Sequence, residues 1–262
     1  MKKRISLALL AAASLAVPSV SLADEAAPAP GVSPSISSSP FALSSNQIAA
    51  PADPPSETPS TKETPDHSFS LAAITIVDGQ EISSCAGITL NPNWILSAAH
   101  CFDEDLTNDA YTVFTSARSG VEEVHQIPGA DLAVARLAGD RPDVGCTPLP
   151  DSSPQVGKTA EVYVFRDYGG VAALPFTIQA NDHLADNPAA GAGVHPMLSL
   201  VPQADGSLTR GGDSGAGVFV ADVDGRKTVV GIVAGLSQTR NITLAEDLAR
   251  YSNDIEQIVG TC

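Results

Sequence analysis

From residue 68 onward, short apolar runs alternate with clusters of Gly, Pro, Asn and Asp. SLAAITIV (70–77), AGITL (86–90), YTVFT (111–115), EVYVF (161–165), GVFVADV (217–223) and TVVGIVAG (228–235) have strand length and β-branched or apolar character. Asp224-Gly225 between the last two is a hairpin signal. Many short strands with regular turn punctuation predict an all-β barrel or sandwich. The period changes only near the C-terminus. Leu244, Leu248, Tyr251, Ile255 and Ile258 recur at steps of three and four, and Thr243-Leu244-Ala245-Glu246 has capping-box spacing. A helix over 244–259 is expected there, laying its stripe on a β core. The sequon Asn241-Ile242-Thr243 is read as structural, with Thr243 the helix cap.

Ahead of residue 68 the pattern is different. Residues 1–23 open with Lys2, Lys3 and Arg4, continue as an Ala/Leu-rich stretch and end at the small-residue site Ser21-Leu22-Ala23. This is the layout of a secretory signal peptide, and its lysines and long Ala-rich core suggest a bacterial exporter. Residues 24–66 are rich in Pro, Ser and Ala with almost no aromatics, so they bury too little apolar area to offset ordering, and a disordered propeptide or spacer is expected. No later run is apolar and long enough to span a bilayer. The net charge of -16 argues against nucleic acid and anionic membranes as partners. The four cysteines, Cys85, Cys101, Cys146 and Cys262, form no CxxC pair, which favours two disulfides over a zinc site in an exported chain. Asp103, Glu104, Asp105 and Asp109 lack calcium-loop spacing and read as a solvated loop.

One stretch asks for chemistry. RGGDSGAGVF (210–219) surrounds Ser214 with three glycines and an Asp. A serine nucleophile needs a base, and the base needs an orienting group. Among the five histidines, His67 falls in or beside the Pro/Ser-rich segment, His125 in a mixed polar strand, and His183 and His195 in loop-like sequence. His100 alone follows an apolar run directly, in NPNWILSAAHC. The matching acid is Asp131 in GADLAVARL, a carboxylate opening an apolar run, where it needs a partner.

SAAHC, DLAVARL and GDSGAG in that order resemble the chymotrypsin/trypsin-like serine proteases over residues 68–262. The resemblance implies a secreted serine endopeptidase domain over 67–262. It would be built as two six-stranded antiparallel β-barrels (67–145 and 146–242) with the C-terminal helix closing the second. It implies Ser214 as nucleophile, His100 as base, Asp131 as orienting acid, and the N–H groups of Gly212 and Ser214 as an oxyanion hole. It further implies the disulfides Cys85–Cys101 and Cys146–Cys262. The substrate would be a protein or peptide; no metal, no organic cofactor and a monomer are expected.

Two departures from the family pattern stand out. Ile76-Val77-Asp78-Gly79 is the nearest likeness to an activating N-terminus, but a cut there discards most of the first strand, so no such switch is expected and Asp213 needs some other cation. The pocket positions are Leu208, Thr209, Ala234, Gly235 and Leu236, with no carboxylate at the base and Ala234 where the family usually has Ser. A small or medium apolar P1 side chain is expected. The rival classes are a homologue that binds without cutting and an esterase using the same triad.

Overall fold

The computed structural model describes residues 71–103, 105–139, 144–166, 170–186, 193–203 and 206–262. The signal-like stretch, the Pro/Ser-rich segment and His67 lie outside them.

The first six strands are β1 (Leu71–Asp78), β2 (Glu81–Asn91), β3 (Trp94–Ser97), β4 (Tyr111–Phe114), β5 (Arg118–Gln126) and β6 (Ala133–Leu137). They close in the order β1-β2-β3-β6-β5-β4, with β1 and β4 completing the ring. The next six are β7 (Thr159–Arg166), β8 (Gly170–Asp186), β9 (Val194–Pro202), β10 (Gly217–Ala221), β11 (Lys227–Ser237) and β12 (Ile242–Asp247). They close in the order β10-β11-β12-β9-β8-β7, with Val218↔Val162 and Phe219↔Glu161 completing the second ring. The expected two-barrel architecture is what the chain adopts.

Alternation explains the inward faces. In β1, Ala72 and Ile74 point into the first barrel with Ile95, Val113 and Ala135. In the second, Val162, Val164, Phe176, Ile178, Leu198 and Val218 fill the interior. A third apolar cluster combines Ile88, Leu90 and Leu96 of the first barrel with Tyr163, Phe219 and Ile232 of the second. Ile255 of the C-terminal helix is buried in it.

That helix is shorter than the sequence pattern predicts. The α-helix, α1, is Ser252–Val259, preceded by a 3₁₀ turn at Leu248–Arg250. Residues 242–247 are a strand, so the expected cap Thr243 is a buried strand residue. Two neighbours decide this: β12 pairs with β11 (Ile232↔Glu246) and with β9 (Thr243↔Leu200), supplying the barrel's sixth strand. Tertiary pairing overrides a spacing that suits either element. His183 and His195, expected in loops, likewise lie on β8 and β9. The disulfides Cys85–Cys101 and Cys146–Cys262 are both formed. Among the described residues no helix is long and apolar enough to cross a membrane.

Candidate active site

His100 sits in a 3₁₀ turn (Ala99–Cys101) directly after β3, and Asp131 stands two residues before β6. The antiparallel register Ser97↔Ala133 brings those two ends together. Asp131, with zero exposure, accepts from the His100 main-chain N–H at 2.9 Å and from His100 Nδ1 at 2.6 Å. A carboxylate only accepts, so Nδ1 carries the hydrogen, and in the neutral ring the lone pair lies on Nε2. Cys101 is tied by its disulfide to Cys85 on β2, which fixes the turn.

Ser214 occupies the turn before β10. Its carbonyl accepts from the Ala86 N–H at 2.7 Å, and the Cys101 sulfur lies 3.9 Å from the same oxygen. The strand that holds the His100 disulfide therefore also holds Ser214. Among the described residues no hydrogen bond joins the Ser214 hydroxyl to His100. The turn depends on glycine at two points. Gly212 (φ +90°) and Gly215 (φ +85°) take the left-handed region, and a Cβ on Gly215 would lie 2.0 Å from the Ala86 carbonyl oxygen. Within this turn the N–H groups of Asp213, Gly215 and Ala216 donate to Arg210, Val233 and Asp213 carbonyls. Those of Gly212 and Ser214 donate to no protein acceptor among the described residues.

The cation that the sequence left unassigned for Asp213 is Arg166, the last residue of β7. Its guanidinium makes a two-pronged contact with the carboxylate, 2.5 Å to Oδ1 and 2.9 Å to Oδ2. The Arg210 N–H adds a bond of 2.8 Å. Asp213 is 3% exposed, so removing its partner strands a buried charge, a loss of about 3–5 kcal/mol. Arg166→Met is expected to lower the melting temperature by that equivalent and to loosen the Ser214 turn. Calorimetry beside Arg166→Lys checks it, the lysine variant falling between because it keeps the charge but not the fork.

The pocket positions come together in part. Thr209 and Thr243, both buried, share a hydroxyl–hydroxyl bond of 2.9 Å. Leu236 pairs with Thr243 and Gly235 with Leu244, while Ala234 is buried at a β11 irregularity. Leu208 is half-buried beside them in sequence.

Sequence reasoning missed Arg166, Glu246 and His195. Glu246, at zero exposure on β12, accepts from the Asp131 N–H at 2.9 Å and faces His195 Nε2 at 2.8 Å. Burial pushes the Glu246 carboxyl upward, partly offset by the Asp131 N–H and His195. Burial pulls His195 down, but the Gly193 carbonyl and Glu246 outweigh it and the net direction is upward. The residues Cys85, His100 and Cys101 gather three potential metal-binding atoms, but both sulfurs are spent in the disulfide. A cavity of about 510 Å³ on the first barrel, between Phe102, Leu106, Tyr111 and Val124, begins two residues beyond His100.

The trypsin family model matches residues 59–255. A 35-residue stretch is 46% identical to the venom peptide isomerase heavy chain of Agelenopsis aperta, covering 13% of this chain and 14% of that protein. Three solved structures share the fold. The Rv3671c protease of M. tuberculosis in its active form superposes with TM-score 0.58 at 16% identity, over 74% of this chain and 82% of that one. The scabies mite inactivated protease paralogue S-I1 gives 0.57 at 17%, over 72% and 93%. Neuropsin, a serine protease expressed in the limbic system of mouse brain, gives 0.55 at 19%, over 72% and 93%.

Proposed function

Because the chain belongs to the trypsin family, whose domain implies a hydrolase, we propose that it is a secreted serine endopeptidase working through Ser214, His100 and Asp131. The observation that carries this reading is the pairing of half-buried His100 with buried Asp131, beside a glycine turn with two N–H groups unengaged among the described residues. Ser214 Oγ attacks the scissile carbonyl as His100 Nε2 takes its proton. Asp131 holds the imidazole tautomer and stabilises the imidazolium. The Gly212 and Ser214 N–H groups receive the oxyanion. His100 then protonates the leaving amine, and water, activated by His100, releases the acyl group from Ser214. Catalytic hydrogen bonds are often long before substrate binds, so the missing Ser214–His100 bond is compatible with this sequence.

The pocket residues Leu208, Thr209, Ala234, Gly235 and Leu236 carry no charge, which supports a small or medium apolar P1 side chain. The start of the chain, read as a signal peptide, and two disulfides support export to an oxidising compartment. The missing Ser214–His100 bond favours one second reading, a homologue that binds peptides without cutting.

A fluorophosphonate probe separates the two. Secreted protein is expected to gain one probe mass at Ser214, and His100→Ala is expected to prevent it. A folded protein that stays unlabelled, also after trimming residues 24–66, would establish the non-cutting reading instead.

A further inference from the structure

Behind the Asp131–His100 pair lies a second imidazole–carboxylate pair, reached through the Asp131 backbone. His195 on β9 is 8% exposed, and Glu246 on the neighbouring β12 is fully buried. His195 Nδ1 faces the Gly193 carbonyl at 2.9 Å, and Nε2 faces the two Glu246 oxygens at 2.8 and 3.1 Å. Glu246 Oε1 in turn accepts from the Asp131 N–H at 2.9 Å. An unbroken line of hydrogen bonds runs from Gly193 through His195, Glu246 and Asp131 to His100.

The arrangement costs more than packing requires. Two carboxylates, Asp131 and Glu246, are buried as neighbours, and a neutral acceptor would satisfy one N–H at less expense. His195 removes part of that cost. Both its ring nitrogens face acceptors, so the pair must hold one proton more than imidazole with carboxylate, as imidazolium with carboxylate or as imidazole with carboxyl. One other titratable group near Glu246 comes from the C-terminal segment. It is Tyr251, pushed up to about 12 by burial first and the Glu246 charge second.

From this geometry we infer that Glu246, held by His195, is a positioning residue that fixes the Asp131 carboxylate against His100. The inference rests on the reading of Ser214, His100 and Asp131 as a triad. Asp131 lies on a loop end with its side chain committed to His100, so its main-chain N–H is the handle by which the second barrel sets its orientation. His195 keeps Glu246 facing that handle. The pair keeps its proton below the ordinary histidine value of 6.5 and loses it as pH rises through the elevated His195 value. Above that point an extra negative charge lies next to Asp131.

Glu246→Leu removes the acceptor, and Glu246→Gln keeps an acceptor oxygen without the charge. The leucine variant is expected to lower kcat about 10²-fold with KM within about twofold, as misplacement of a reacting group does. The glutamine variant is expected to recover to within about tenfold of the parent. The direct readout is the low-field proton NMR resonance of the His100–Asp131 hydrogen bond, recorded in Ser214→Ala so that no turnover or autolysis intervenes. That resonance is expected to show an inflection matching the titration of the His195 ring protons, and His195→Gln is expected to abolish it. This measurement needs no Glu246 variant to fold. A resonance indifferent to His195, or a folded Glu246→Leu with parental kcat, would make the pair a structural filler. Should the parent protein neither label nor cleave, the triad reading fails, while the resonance still reports whether the pair acts on Asp131.

Discussion

Ser214→Ala is expected to lower peptide turnover by about 10⁶-fold, the cost of removing a nucleophile whose partners act only with it. Stability is expected to stay within about 0.5 kcal/mol, because the hydroxyl is half-exposed and makes no bond to His100. What holds the residue in place is main chain: the Ser214 carbonyl on the Ala86 N–H, and Gly215 N–H on the Val233 carbonyl. Alanine keeps both. Hydrolysis of apolar-P1 peptide anilides, measured beside thermal unfolding, checks the two halves together. A variant that still cleaves at more than a trace, with its melting temperature unchanged, would require another nucleophile.

Asp131→Asn is expected to lower kcat about 10⁴-fold while leaving the fold intact. The reason lies in counting acceptors. Asp131 accepts twice from one residue, through Oδ1 from the His100 main-chain N–H and through Oδ2 from Nδ1. Asparagine has one acceptor oxygen. The main-chain N–H can only donate, so it claims that oxygen, and the amide NH₂ is turned toward Nδ1. The imidazole must then carry its hydrogen on Nε2, where it cannot receive the Ser214 proton. Single-turnover kinetics of Asp131→Asn, with calorimetry as control, tests this. A loss of less than about tenfold would mean that the tautomer is set by something other than Asp131.

The residues proposed for the site were readable in the chain, and the contacts that reach them across the fold were not. SAAHC, DLAVARL and GDSGAG each announce themselves because the proposed base, its acid and the nucleophile turn need a particular immediate surrounding. Six of the twelve strands were visible as apolar runs. β8 was not, since its long, mixed run of Ala, Pro, Gln, Asn and Asp has no clean alternation, and its role comes from pairing with β7 and β9. Arg166 stands 47 residues from Asp213, and nothing beside it distinguishes a buried fork from a surface charge. Glu246 was misread for a definite reason. Three residues after a threonine is where a helix cap wants a glutamate, and here the same spacing falls on a strand, where the glutamate's partners are His195 on β9 and Asp131 before β6. His195 followed it into error, because a histidine among Ala, Gly and Pro looks like loop until its carboxylate is known.

The Cys85–Ala86 dipeptide has a mechanical consequence. One residue is bolted to the turn carrying His100, and the next grips the Ser214 carbonyl. His100 and Ser214, though drawn from separate barrels, therefore share a common mount. Their alignment is set over a span of two residues rather than across the whole interface. The same mount is also a single point of failure. A reducing agent that opens Cys85–Cys101 would set His100 adrift while both barrels remained closed, separating loss of alignment from loss of fold.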